Sequence, residues 1–235
     1  MFTYVPTCMA GSQASFQTTT KSAKKDKASL CTAVRQILQH QRDLFHNFPD
    51  FKKAFDRVWH AGLWQVLRSF NIDKGPVQAI QALYENSSNA VLLNSQLGEF
   101  FKTTVVVRQG SLLSLILSDL FLEVIKQEAL HDQHTSISIG GRSICNLRFA
   151  DDIDLMGGSN VKLQDLTNRL VDRGTAYRME VSTEKSKIMT NSTNNISADV
   201  SMNGQKLEEV TSFKYFGVTL CKDSTCSAEI RIRIA

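Results

Sequence analysis

The stretch Leu147-Arg-Phe-Ala-Asp-Asp-Ile-Asp-Leu-Met156 decides the reading of this 235-residue chain. Two aspartates, Asp151 and Asp152, stand side by side, with Leu147 and Phe149 before them and Ile153 and Leu155 after. Alternation of this kind predicts two strands entering a core, with the acidic pair at the tip of a tight hairpin. Adjacent carboxylates raise one another's pKa unless a cation neutralises them, so a metal is the economical explanation. Carboxylate oxygens suit Mg²⁺, and two such ions about 3.5–4 Å apart serve phosphoryl or nucleotidyl transfer. Taken alone, Asp-Asp is more often a solvated turn than a metal site, and the decision falls to the rest of the chain.

Around that hairpin the chain reads as mixed helices and short strands. Phe45 to Phe51 predicts a strand ending beside a third carboxylate, Asp50, and Asp56 to Phe70 an amphipathic helix with Trp59, Leu63, Val66, Leu67 and Phe70 on one side. A second helix follows the Gly75-Pro76 turn and ends near Tyr84. Ala90 to Leu93 and Phe100 to Val107 are expected to form a hairpin turning near Gly98, and Leu112 to Leu130 a mostly buried helix. Strands are expected over Ser136 to Ile139 and Ser143 to Phe149, about Gly140 and Gly141, then a helix from Val161 to Tyr177 and strands with turns to Leu220. This order predicts an α+β fold, an antiparallel sheet with helices on one face.

Composition narrows the partners and the compartment. A formal charge of +4 permits a nucleic-acid partner through phosphate neutralisation. Five scattered cysteines suit a reducing compartment better than a disulfide framework, and Cys221 and Cys226 lack the second ligand pair of a zinc site. The opening residues carry no secretory apolar run, and the most apolar stretch is broken by Ser114, Ser118, Asp119 and Glu123. An intracellular protein, nuclear or cytoplasmic, neither secreted nor in a membrane, is therefore expected. Residues 1–28, with Lys21, Lys24, Lys25 and Lys27, are expected to be a low-complexity disordered tail. A short helix is read from Leu30 to His40.

The strings NFPDFKKAFDRVWH (47–60), VVVRQGSLLSLILSDLFLEVI (105–125), RFADDIDLM (148–156), YRMEVSTEKSKIM (177–189) and FKYFGVTL (213–220) come in an order and at spacings that resemble the polymerase motifs of reverse transcriptases from non-LTR, LINE-type retrotransposons. The resemblance runs from about Asp43 to Leu220. It implies a polymerase palm over residues 29–220, with little of the fingers, and the start of a thumb over 221–235. It also implies RNA-directed DNA synthesis with two Mg²⁺ ions, an RNA template, a DNA primer and deoxynucleoside triphosphates. The oligomeric state stays open.

Carried over by position, the resemblance makes Asp50 and Asp151 metal ligands, with Asp152 as a third carboxylate. Phe55 matches the bulky residue that rejects a ribose 2′-hydroxyl, and a plain packing role also suits it. Arg108, Gln109 and Gly110 match the segment lying against nucleotide and template. Lys185 matches a lysine that approaches the triphosphate and protonates the departing pyrophosphate, with Lys187 as the alternative. Phe213 to Leu220 resembles the hairpin that grips the primer end.

Four positions depart from the family pattern. Pro49 removes a ladder donor beside Asp50 and threatens to displace it. Leu112 and Leu115 stand where prolines are usual, and Arg178 replaces a customary glycine, which predicts strain in that turn. A catalytically inactive retrotransposon relic that keeps the palm and at most binds nucleic acid weakly is the alternative reading.

Overall fold

The computed structural model describes residues 43–105, 112–131, 138–139, 142–143, 145–149, 152–192, 196–215 and 218–222. Strand β1, Leu44–Phe51, leads through a 3-10 turn at Ala54–Arg57 into helix α1, His60–Ser69, and α2, Lys74–Glu85. The helix expected from Asp56 is thus divided. Val58 and Trp59 adopt extended backbone, and Trp59 bridges to Val105 while His60 N donates to Thr104 O at 3.0 Å. The indole also lies so close to Gly62 that a Cβ there would strike it.

Strands β2, Leu92–Leu93, and β3, Gln96–Leu97, form a small hairpin. Its turn is not at Gly98, as the sequence suggests, but at Asn94-Ser95, both left-handed at φ 49° and 63°. Two central residues at positive φ match the primed turn that suits strand twist, and asparagine tolerates it well. The Phe100 to Val107 strand is reduced to isolated bridges at Phe101 and Val105 among the described residues.

Helix α3, Leu112–Leu130, is followed by the short pair β4, Ser138–Ile139, and β5, Arg142–Ser143. Next come β6, Asn146–Phe149, β7, Asp152–Gly157, helix α4, Asn160–Ala176, and the long strand β8, Val181–Asn191. Ser159 caps α4 by accepting from Lys162 N at 3.3 Å. The chain then forms β9, Ser201–Met202, with β10, Gln205–Lys206, next β11, Glu208–Glu209, and the hairpin of β12, Ser212–Tyr215, with β13, Val218–Cys221.

The main sheet has the order β11-β8-β1-β7-β6. Its pairings are antiparallel except for the edge strand β11, which runs parallel to β8, so the sheet is mixed rather than purely antiparallel. Alternation sorts its two faces. Phe45 and Phe51 of β1, Ile153 and Leu155 of β7, and Val181 and Ile188 of β8 pack in the core that also holds Leu63, Phe121, Leu122, Leu166 and Leu170 from the helices. On the opposite face Leu44, Phe48, Met156 and Met189 meet Tyr215 and Leu220 of the β12–β13 hairpin. The fold is α+β, with helices on one face and a hairpin covering part of the other.

Candidate active site

Strand β1 sits in the middle of the sheet, and its even-numbered residues Leu44, His46, Phe48 and Asp50 alternate away from the helices. Residues Asp152, Asp154 and Met156 of β7 share that face. Antiparallel pairing joins Phe45 to Gly157, His46 to Met156 and Asn47 to Leu155. Counting on in the same register sets Asp50 across from Asp152. Phe149 pairs with Asp152, leaving Ala150 and Asp151 as the two residues between the arms of the expected hairpin. Asp151 itself lies outside the described residues, as do Arg108, Gln109 and Gly110.

Pro49 does not remove Asp50 from the strand. On one side the β1–β7 pairing ends at Asn47, before the proline. On the other, the register with β8 passes from Phe48↔Lys187 directly to Asp50↔Ser182, so the irregularity is taken up by β8. That bulge is closed by Ser186, whose Oγ donates to Ser182 O at 2.6 Å and accepts from Asp50 N at 3.2 Å. Proline therefore stands at the position where neither neighbour asks for its missing N–H.

The bulge carries Lys185 outward, with Nζ 3.6 Å from Asp50 Oδ2. Their side chains are 69% and 45% exposed, so the pair is a loose one, screened by solvent. Oδ2 of Asp50 has no hydrogen-bond partner, an acceptor with coordination to spare. Lys187, the alternative to Lys185, is occupied elsewhere: it donates to Glu208 Oε2 at 2.6 Å and to Glu184 O at 2.9 Å. Phe55, in the 3-10 turn beyond β1, is half-buried against the helix-side core. Its neighbours Lys52 and Arg57 both bind Glu180, each at 2.6 Å, and the Lys52 hydrogen bond leads the causes that hold the Glu180 carboxyl below its usual range.

Two features escaped the sequence reading. His46 and Asp154 are fully buried and joined, Nδ1 lying 3.0 and 2.9 Å from the two carboxylate oxygens. Burial pushes the Asp154 carboxyl up, and His46 draws it partly back. Tyr215 of the covering hairpin donates to Leu147 O at 2.9 Å. Its phenol is pushed up by burial first and then by the charges of Asp154 and Asp152, which places the hairpin within electrical reach of both. A single aspartate inside the apolar run Ile153 to Met156 was the available signal for the first of these.

The reverse transcriptase (RNA-dependent DNA polymerase) family model matches residues 6–220, and the chain belongs to this family. More particularly, it is a reverse transcriptase domain of the non-LTR retrotransposon kind. It is 29% identical over 150 residues to the Pol polyprotein of retrotransposable element R2DM from Drosophila melanogaster, a match covering 62% of this chain and 14% of the relative. The corresponding R2 polyprotein of Nasonia vitripennis is 26% identical over 146 residues, again covering 62% and 14%. The chain thus spans about a seventh of these relatives. Among solved structures, apo telomerase from Candida tropicalis superposes with a TM-score of 0.62 at 12% identity, covering 87% of this chain and 35% of the telomerase. Telomerase from Candida albicans, in complex with a fragment of telomeric RNA, gives 0.57 at 13% identity, covering 86% and 32%. These similarities at low identity establish the palm fold.

Reverse transcriptases as a family use divalent metal ions. No group of three or more His, Cys, Asp or Glu side chains gathers at a metal-binding spacing among the described residues. Of the three expected carboxylates, the described residues hold Asp50 and Asp152. No helix among them is long and apolar enough to cross a membrane.

Proposed function

We propose that this domain performs nucleotidyl transfer in RNA-templated DNA synthesis, with Asp50, Asp151 and Asp152 as the carboxylates that hold two Mg²⁺ ions. The observation that carries the reading is the placement of Asp50 and Asp152 on one sheet face, at the same end of neighbouring strands β1 and β7. The under-coordinated Oδ2 of Asp50 suits a hard cation. Bound there, the metal pair would supply activation of the primer 3′-hydroxyl and charge stabilisation at the leaving oxygen.

The remaining roles fall to this chain's own side chains. Lys185 is near enough to Asp50 to exchange its carboxylate for a triphosphate oxygen and to give a proton to the departing pyrophosphate. Phe55 walls the sugar side and disfavours a 2′-hydroxyl. To Arg108, Gln109 and Gly110, which lie outside the described residues, the family resemblance gives the contact with nucleotide and template, for which glycine permits close backbone approach. An RNA template, a DNA primer and deoxynucleoside triphosphates are the substrates.

Primer extension on an RNA template, with Mg²⁺ supplied, tests this directly. The wild-type chain is expected to add deoxynucleotides, and Asp50→Asn to lose about a hundredfold or more in rate, since every ~1.4 kcal/mol of lost stabilisation is a factor of ten. Extension by Asp50→Asn at the wild-type rate would show that the assignment is wrong.

A further inference from the structure

We infer that the buried His46–Asp154 pair is a positioning device, which locks the Asp152 end of β7 to the Asp50 end of β1 and sets the distance between their carboxylates. This rests on the reading of Asp50 and Asp152 as metal ligands. His46 lies four residues before Asp50 on one strand, and Asp154 two residues after Asp152 on the other, both on the face that carries those carboxylates. The direct backbone pairing between β1 and β7 ends at Asn47. Beyond Asn47 the paired register of these two strands does not continue among the described residues, and Pro49 has no N–H to offer. The His46–Asp154 contact, with Nδ1 shared between both oxygens at 2.9–3.0 Å, therefore ties the strands close to the point where the ladder stops.

A buried polar pair is a poor way to add stability, because desolvation offsets most of its attraction. It is a good way to fix geometry, because its hydrogen bonds are directional and an apolar substitute lets the strands slide. The imidazole is itself fixed. It stacks on Phe48 at 5.7 Å and 7°, and Phe48 stacks on Phe213 at 4.1 Å and 10°. This column of rings runs from the strand pair to the β12–β13 hairpin, so the hairpin that resembles the primer grip is aligned by the same device. The Nε2 atom of His46 is buried without a partner, so the contact with Asp154 is the imidazole's one hydrogen bond among the described residues.

The decisive variant replaces both partners, His46→Leu with Asp154→Leu, which removes the polar contact without leaving a lone buried charge. Two readouts are taken on the wild-type and variant chains: Mn²⁺ affinity by electron paramagnetic resonance, and backbone hydrogen exchange. In the folded double variant, Mn²⁺ binding is expected to weaken at least tenfold. Exchange at residues 152–156 and 213–215 should accelerate at least tenfold, with α4 unchanged. Unaltered affinity, or unaltered exchange in those strands, overturns the inference. Failure of the wild-type chain itself to bind Mn²⁺ is a different result: it refutes the metal assignment and takes the inference with it. Should the double variant not fold, His46→Asn decides, because its amide nitrogen restores a donor near the Nδ1 position. Affinity and exchange within about threefold of wild type are expected, and a tenfold loss in either overturns the proposal.

Discussion

Arg178 stands two residues beyond the end of α4, just past the capping Tyr177, with φ at 58°, a conformation that favours glycine. Met179 N donates to Gly174 O at 2.8 Å and Arg178 N to Thr175 O at 2.9 Å, the two bonds of a Schellman ending. The strain expected there from sequence is present, and the structure shows what opposes it: the guanidinium lies 4.5 Å from the centre of the Trp59 ring. Left-handed backbone costs a non-glycine residue about 1–2 kcal/mol, whereas an exposed cation–π contact returns about 0.5–1 kcal/mol. Arg178→Ala keeps the strain and loses the ring, so it should destabilise by about 0.5–1 kcal/mol. Arg178→Gly loses the ring but relieves the strain, and should unfold in urea at or above the wild-type midpoint. If alanine proves more stable than glycine at this position, the strain argument fails. The strained position was legible because one residue type normally fills it. Its partner was not, since Trp59 is far away along the chain.

At the scale of elements, α3 and α4 are clamped by Tyr177, whose hydroxyl donates to Glu128 Oε1 at 2.7 Å and whose ring meets Phe121 edge-on at 5.7 Å. Burial first, and then the hydrogen bond to Glu128, raise the phenol from near 10 to about 12. The folded chain therefore keeps a proton that the unfolded chain has released. This contribution is whole below pH 10 and is lost as pH rises towards 12. Tyr177→Phe should be less stable than wild type at neutral pH, and the gap should close across that alkaline window in denaturation curves taken at successive pH values. A gap that stays constant would mean that the hydroxyl contributes nothing through its proton. Elements such as α3, α4 and the β6–β7 hairpin were legible because their signals are local: apolar spacing and alternation about Asp151-Asp152. The neighbours of β1 were not. Its pairing with Met156 and Met189 depends on residues more than a hundred positions away, and the bulge that accommodates Pro49 is in β8 rather than beside the proline. The hairpin near Gly98 was misplaced for a related reason: two left-handed residues at Asn94-Ser95 outweighed a glycine that the turn did not need.

For the molecule as a whole, the central sheet is shared property. Phe45 and Phe51 of β1 belong to the helix-side core, while Leu44 and Phe48 of the same strand belong to the cluster under the β12–β13 hairpin. Neither cluster can melt while β1 stays in place for the other, so the two should unfold together despite lying on opposite faces. Large-to-small changes give the test. Phe121→Ala in the helix-side core and Tyr215→Ala beneath the hairpin, both nearly fully buried in the wild type, should each cost about 3–5 kcal/mol. Each should also leave a single transition, coincident in far-ultraviolet and near-ultraviolet circular dichroism. The hairpin is the element that could break this rule, because it pairs with itself and not with the main sheet. Its ties are the Phe48–Phe213 stack, the Tyr215 hydrogen bond to Leu147 O, and Asn191, whose Nδ2 donates to Cys221 O at 2.9 Å and Lys222 O at 3.0 Å. Those ties reach three strands, β1, β6 and β8, and for that reason Tyr215→Ala is expected to lower the stability of the whole chain rather than release the hairpin alone. An early transition seen only in the aromatic region, with the helices intact, would show instead that the hairpin is a separate unit resting on the sheet.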